Sequence, residues 1–390
     1  MASYIPLEPT VDGKPRIKIT VERGYDQDTG RRLRKFKTVT LNSLSERTIK
    51  KAITEFEIEV SNMEMSKNID SMTFNHFVEK WMDNYVRVDL TIKTRDNYNF
   101  HLKKGILDEL GHYKLSKIKT FHIVECFKKW KESNGNGSMS IGKFTVLKSI
   151  FGKAIEWKVI KENPMNGVKS PRVNRKAKGF YDEEQIKVLF DRIEDININH
   201  KLKIKLAVMA GLRISEIAGI RVECIDFDKN TIIIDRALYF DEEKKQLYLG
   251  LTKNKKARTV TLPVPFMDEL KLYIEEREDT KSKVGNLWKP MLDERQQAIN
   301  LLFTNDFGYP HHPRSMSTAW NRIIEKKKLP KITFHDLRHS YASFMVSKGV
   351  NFKIIQEQLG HSDIKITLNV YSHLTDRDKQ KASDLFDDFY

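Results

Sequence analysis

His335-Asp336-Leu337-Arg338-His339 stands near the C-terminus, followed by Leu359-Gly360-His361 and then Tyr371-Ser372-His373. Far upstream, Arg213 lies in Gly211-Leu212-Arg213-Ile214-Ser215-Glu216. Together these residues suit chemistry on a phosphodiester with tyrosine as the nucleophile. Guanidinium groups hold non-bridging oxygens, imidazoles move protons, and a phenol attacks.

Around these residues the local pattern is readable. Gly211 is expected to end one helix and Ser215 to cap the next, with Glu216 in its first turn. That fixes Arg213 in a tight helix-to-helix corner. His335, Arg338 and His339 are spaced for one helix face. The His335/His339 pair also fits a zinc site of the His-Glu-x-x-His type, but Asp336 is one methylene shorter than the glutamate such a site uses as its base, and Arg338 would set a cation beside the metal. Lys253, with Lys255, Lys256 and Arg258, is expected at the tip of a hairpin between strands at 247–251 and 259–262. Such a tip is either a solubilising loop or a finger reaching into a groove. Only a point-like donor at the leaving oxygen makes one of these cations catalytic.

Composition bounds the partners. The chain has 390 residues, 69 basic against 53 acidic, for a net charge of +16. That length allows two or three domains, and that excess favours a polyanion, most often nucleic acid. Cys126 and Cys224 match no metal or disulfide spacing, so two ordinary thiols in a reducing cytoplasm are expected. Residues 1–9 lack the order of a signal peptide, and no apolar run is long enough for a bilayer.

Three segments follow from periodicity. At 1–65, alternating Ile17, Ile19 and Val21, a turn at Asp28-Thr29-Gly30, and Leu33, Phe36, Val39 and Leu41 predict a small three-stranded sheet. A helix carries Ile49, Ile53, Phe56 and Val60. Arg31, Arg32, Arg34, Lys35 and Lys37 crowd one strand, either as a charged edge or as a strand that reads DNA. Residues 70–168 read as all helix. Their apolar faces are Phe74, Phe77, Val78, Trp81 and Met82; Tyr98, Leu102 and Ile106; Val124, Phe127 and Trp130; and Leu147, Phe151, Ile155 and Trp157. Lys93, Arg95, Lys143 and Lys148 are expected on outer faces as candidate phosphate contacts. Residues 169–179 contain Lys169, Arg172, Arg175 and Lys176 and read as a basic linker, tracking a DNA backbone or serving as a plain tether. Residues 180–390 are mixed, mainly helical, with strands at 231–235, 247–251 and 259–262. A last helix is expected from the spacing of Ala382, Leu385, Phe386 and Phe389.

Arg213 in Gly-Leu-Arg-x-Ser-Glu, His335-x-x-Arg338, Leu-Gly-His361 and Tyr371 resemble the signature of the tyrosine recombinases, the lambda-integrase-type family. The resemblance covers the C-terminal half directly. The helical segment resembles that family's core-site-binding domain, and the N-terminal sheet resembles the arm-site-binding domain of integrases from phages and conjugative transposons. It implies that Tyr371 attacks the scissile phosphate and becomes joined to its 3′ side. His335 is the implied base, Arg213 and Arg338 clamp the phosphate, and His361 gives a further hydrogen bond. Lys253 is the implied acid, with Lys255 and Lys256 as its substitutes. No metal, ATP or other cofactor is implied. The expected partners are double-stranded attachment sites and other copies of the chain in a tetramer, with an excision factor or DNA-bending protein as accessories. Rival readings are a type IB topoisomerase, a resolvase or invertase, and a non-catalytic regulator derived from an integrase.

Overall fold

The computed structural model describes residues 2–25, 32–134, 137–171 and 179–360. Outside them lie Arg31 and the turn expected at 28–30, most of the linker including Arg172, Arg175 and Lys176, and everything from His361 onward, with Tyr371, His373 and the expected last helix. The chain divides into two compact units, Met1–Asn174 and Arg175–Tyr390.

The first unit opens with an antiparallel sheet of β1 (Ala2–Leu7), β2 (Arg16–Tyr25) and β3 (Arg32–Thr40), in that order. Alternation buries Ile17, Ile19 and Val21 on one face, where Ile49, Ala52, Phe56 and Val60 of α1 (Glu46–Ser71) cover them. The helix runs past residue 65, so the expected end of the first segment falls inside it. Register divides the basic residues of β3 between the two faces. Arg34 lies opposite Glu22 on the outer face, whereas Lys35 lies opposite the buried Val21 on the helix side. Lys37 is on that side as well and pairs with Glu59 of α1.

The rest of this unit is helical: α2 (Phe74–Trp81), α3 (Arg87–Asp89), α4 (Ile92–His101), α5 (Leu107–Leu110), α6 (Thr120–Asn134) and α7 (Gly137–Glu156). Phe74, Phe77, Trp81, Leu147 and Phe151 are buried together, and Trp81 stacks on Tyr98 with ring centroids 5.4 Å apart. Burying each phenylalanine stabilises the fold by about 1.5–3 kcal/mol. On α6 Trp130 is buried and Phe127 packs partly against the same core as expected, but Val124 gives way to Ile123 and Cys126. Ile123, Cys126 and Trp130 are buried, while Val124 is 50% exposed.

Two expected surface cations are buried. Arg95 is 9% exposed and pairs with Asp96 at 3.2 Å. Lys143 is 1% exposed, with its Nζ 4.1 Å from the centre of the Trp130 ring. Its place exists because Gly105 turns the chain at φ 114°, where a Cβ would come within 3.1 Å of that Nζ. The indole face offers the ammonium a cation–π contact in place of water. Burial lowers the Lys143 pKa, while Glu109 and Asp108 pull it back up. Lys93 and Lys148 are exposed as expected. We therefore expect Lys143→Met to leave DNA affinity and its salt dependence unchanged, and to shift stability by less than about 1.5 kcal/mol. Lys93→Ala should weaken binding and reduce the salt slope by about one. Binding titrations across salt concentrations check both, and a flattened slope for Lys143→Met would return it to the DNA surface.

The second unit contains α8 (Glu183–Arg192), α9 (Ile198–Met209) and α10 (Ile214–Ala218), then five short strands. These are β4 (Ile225–Asp226), β5 (Thr231–Ile234), β6 (Arg236–Asp241), β7 (Gln246–Leu251) and β8 (Arg258–Thr261). Helices α11 (Val264–Val284), α12 (Pro313–Lys326), α13 (Asp336–Ser347) and α14 (Phe352–Leu359) follow. The expected pairing of β7 with β8 does not occur. β6 pairs with β7, and β8 joins β5 in a separate sheet of order β4-β5-β8. Leu206, Ile232, Val260, Leu270, Trp320 and Leu337 belong to one core that sets α9, α13 and the sheet in place. Cys126 and Cys224 are buried free thiols. Among the described residues no helix is long and apolar enough to cross a membrane.

Candidate active site

Gly211 follows α9 in the left-handed region at φ 61°, a conformation that favours glycine. A Cβ there would also come within 2.5 Å of Leu359 Cδ2 and 2.7 Å of Tyr341 Cδ1. This close approach brings the end of α9 against α13 and α14. Two residues on, Arg213 itself occupies the cap position of α10, with Ser215 inside the helix, so Ser215 is not the cap expected from the sequence. Glu216 reaches back, its Oε2 accepting from the Arg213 backbone N–H at 3.0 Å. Its Oε1 accepts from Arg213 Nη1 at 2.6 Å.

Arg338 is 2% exposed in the first turn of α13. Its Nη1 donates to Gly211 O and its Nη2 to Leu359 O, each at 2.6 Å. Those bonds hold the guanidinium plane between the turn before Arg213 and the end of α14. Burial, reinforced by the Arg213 charge, lowers the Arg338 pKa to about 9, which still leaves it protonated at neutral pH. Gly360 ends α14 at φ 63°. Its carbonyl accepts from Arg213 Nη2 at 3.4 Å and from Asn254 Nδ2. Both arginines thus converge on the two residues that precede His361.

His335 is exposed at the cap of α13, and His339 is buried one turn on, with ring centroids 5.4 Å apart and nearly perpendicular. Asp336 is engaged with the loop before its own helix. Its Oδ2 accepts from the backbone N–H and the hydroxyl of Thr333, at 2.8 and 2.7 Å. Among the described residues no group of three or more His, Cys, Asp or Glu is placed to hold a metal ion.

Lys253 is exposed in the turn between β7 and β8, which links two different sheets rather than closing a hairpin. The turn is closed by the Lys255 N–H on Thr252 O at 2.8 Å and by the Thr252 hydroxyl on Lys256 O at 3.1 Å. Lys255 and Lys256 are exposed beside it. Arg258 is different, with a side chain 11% exposed and paired to Glu216 at 2.6 Å. Burial alone would raise the Glu216 carboxyl, but the hydrogen bond and charge of Arg258, with Arg213 behind them, hold it at about 2. Arg258 was expected at the tip with the three lysines rather than turned inward, and nothing in the sequence pointed to Asn254. Strand alternation carried a signal for the first, because Arg258 shares a face with Val260, which is fully buried.

Of the expected DNA contacts, Arg32 and Arg34 are exposed and both reach Glu22, at 3.7 and 2.9 Å. Lys35, Lys93 and Lys169 are exposed as well.

Residues 180–378 match the phage integrase family, and residues 73–131 match the phage integrase N-terminal SAM-like domain. A tyrosine recombinase XerC-like protein of Caldanaerobacter subterraneus subsp. tengcongensis is 26% identical, over 97% of each chain. The ICEBs1 integrase of Bacillus subtilis is 24% identical, over 96% of this chain and 97% of its own. Among solved structures, the Tn1549 transposon integrase bound to a circular intermediate DNA superposes with a TM-score of 0.67 at 22% identity, covering 80% of this chain and 99% of that one. The similar fold, the arginine pair converging ahead of His361 and the match across the second unit agree, and the chain belongs to the phage integrase family of tyrosine recombinases.

Proposed function

We propose that this chain is the integrase of a mobile element or prophage, a site-specific recombinase that cuts and rejoins double-stranded DNA through a 3′-phosphotyrosyl link at Tyr371. The observation that carries the assignment of roles is the convergence of Arg213 and Arg338 on the carbonyls of Leu359 and Gly360. The Tyr371 phenol has a reference pKa of about 10 and needs a base at neutral pH. His335 takes its proton as the phenolic oxygen bonds to phosphorus. The bond from phosphorus to the 5′ oxygen breaks, and Lys253 protonates that oxygen. Arg213, Arg338 and His361 hold the non-bridging oxygens as charge develops, each charge-assisted hydrogen bond contributing about 1.5–3 kcal/mol. Attack by the 5′ hydroxyl of a second duplex reverses the step and returns the phenol. The phosphotyrosine conserves the energy of the broken bond, so the cycle needs no nucleotide.

Exchange between two duplexes cuts four strands, and one nucleophile per chain makes a tetramer the natural assembly. Residues 1–65 are assigned to arm-type sites, through the outer face that carries Arg32 and Arg34, and residues 70–168 to core-type sites. The basic segment 169–179 joins the latter to the catalytic part at 180–390. The Lys253 role is tested on two substrates. Lys253→Ala should cut a normal phosphodiester slowly, by a factor of about 10²–10⁴, the usual contribution of a positioned acid. On a 5′-bridging phosphorothiolate the defect should largely disappear, because a sulfur leaving group needs little protonation. Equal defects on both would move the acid role to Lys255 or Lys256.

A further inference from the structure

Arg258 opens β8, two residues before the buried Val260, and its guanidinium is turned inward. Nη2 donates to Glu216 Oε2 at 2.6 Å, Nη1 lies 3.3 Å from Oε1, and Nε donates to Gln358 O at 2.7 Å. Glu216 is 1% exposed and also accepts both the backbone N–H and Nη1 of Arg213. One buried carboxylate therefore lies between two guanidiniums, and the trio keeps one net positive charge. Remove Arg258, and the same carboxylate has Arg213 as its neutralising partner. A buried carboxylate holds its last counter-charge strongly, so Arg213, already bonded to Oε1, becomes its only guanidinium and a phosphate meets a neutral pair.

We propose that Arg258 is a positioning residue for strand cleavage: it neutralises Glu216 so that Arg213 keeps its charge and free N–H groups for the scissile phosphate, and it fixes the end of α14 ahead of His361. Its place in the strand that follows the Lys253 turn ties these pieces together, and Asn254 anchors the same turn to Gly360. The inference rests on the reading of Arg213 as a phosphate clamp.

The test is single-turnover cleavage of a suicide substrate by the full chain. It uses a normal scissile phosphate and a methylphosphonate, in which a methyl group replaces one charged oxygen. Arg258→Met should bind DNA as the wild type does and cleave about a hundredfold more slowly. The loss should shrink on the methylphosphonate, where less negative charge needs to be held. Adding Glu216→Gln to Arg258→Met should restore part of the lost rate, because the carboxylate that captures Arg213 is gone. Arg258→Lys keeps the charge without the fork and should lose less than Arg258→Met. If Arg258→Met does not fold, the decision passes to Arg258→Lys on the two substrates, where a loss that shrinks on the methylphosphonate supports the proposal. Wild-type cleavage by the Arg258 variants, or a loss equal on both substrates, overturns it. Arg213→Ala is measured alongside. If it cleaves normally the clamp reading itself fails, whereas a crippled Arg213→Ala beside unaffected Arg258 variants removes only this inference.

Discussion

Tyr371→Phe should bind its DNA sites with unchanged affinity and form no covalent adduct. The substitution deletes one oxygen from a side chain that is neutral at pH 7. Affinity for DNA comes mainly from cations that neutralise phosphates, none of which is altered. Cleavage by contrast depends on that oxygen, since phenylalanine offers no nucleophile. A suicide substrate, resolved on a denaturing gel, reads the result as the loss of the slow-migrating band. Adduct retained by the variant would show that another residue attacks.

Arg338→Ala should give the next largest loss, in two distinguishable forms. Removing a donor that acts on developing charge lowers the rate by about 10²–10³, with little effect on ground-state DNA binding. Arg338 also satisfies two carbonyls, Gly211 O and Leu359 O. Each, left buried without a partner, costs about 1–3 kcal/mol. The variant should therefore lose cleavage and melt earlier, whereas Arg213→Ala should lose cleavage with a smaller thermal shift, because its side chain is 19% exposed, its bond to Gly360 is long, and Arg258 still neutralises Glu216. Arg338→Lys should not restore either property, since a point charge does not span two carbonyls held by a planar fork. Stopped cleavage assays and calorimetric melts separate the two losses. Near wild-type cleavage by either alanine variant would overturn the arrangement of the site.

What could be read in the sequence was what local spacing controls. Ile17, Ile19 and Val21 alternate because one face of a sheet is covered, and the structure buries all three. Phe74, Phe77 and Trp81 repeat at helical intervals, and they too are buried. On α6 two overlapping faces both include Trp130. Spacing placed Val124 with Phe127, but packing buries Ile123 and Cys126 and leaves Phe127 at the edge of the core. The strand pairing failed for a related reason. The expected strands at 231–235, 247–251 and 259–262 left out β6, which follows β5 after Asp235 alone, so β7 was without its true partner and was paired with β8. Lys143 and Arg95 were assigned to the surface by charge, and no local pattern records that Trp130 and Asp96 supply their buried partners. The site stands between these cases. Arg213, His335 and Arg338 were marked by motif, while Asn254 and Arg258 act through carbonyls and a carboxylate that only the fold brings near them.

In the proposed mechanism this chain cuts DNA by forming a covalent bond from its own tyrosine to a 3′ phosphate. The most direct measurement is peptide mapping by mass spectrometry of the wild-type complex trapped on a suicide substrate, after nuclease and protease digestion. One modified peptide is expected, carrying a nucleotide phosphate on Tyr371 and linked through the 3′ side of the DNA. A nucleotide on any other residue, a link through the 5′ phosphate, or DNA that is cut with no protein attached would contradict it.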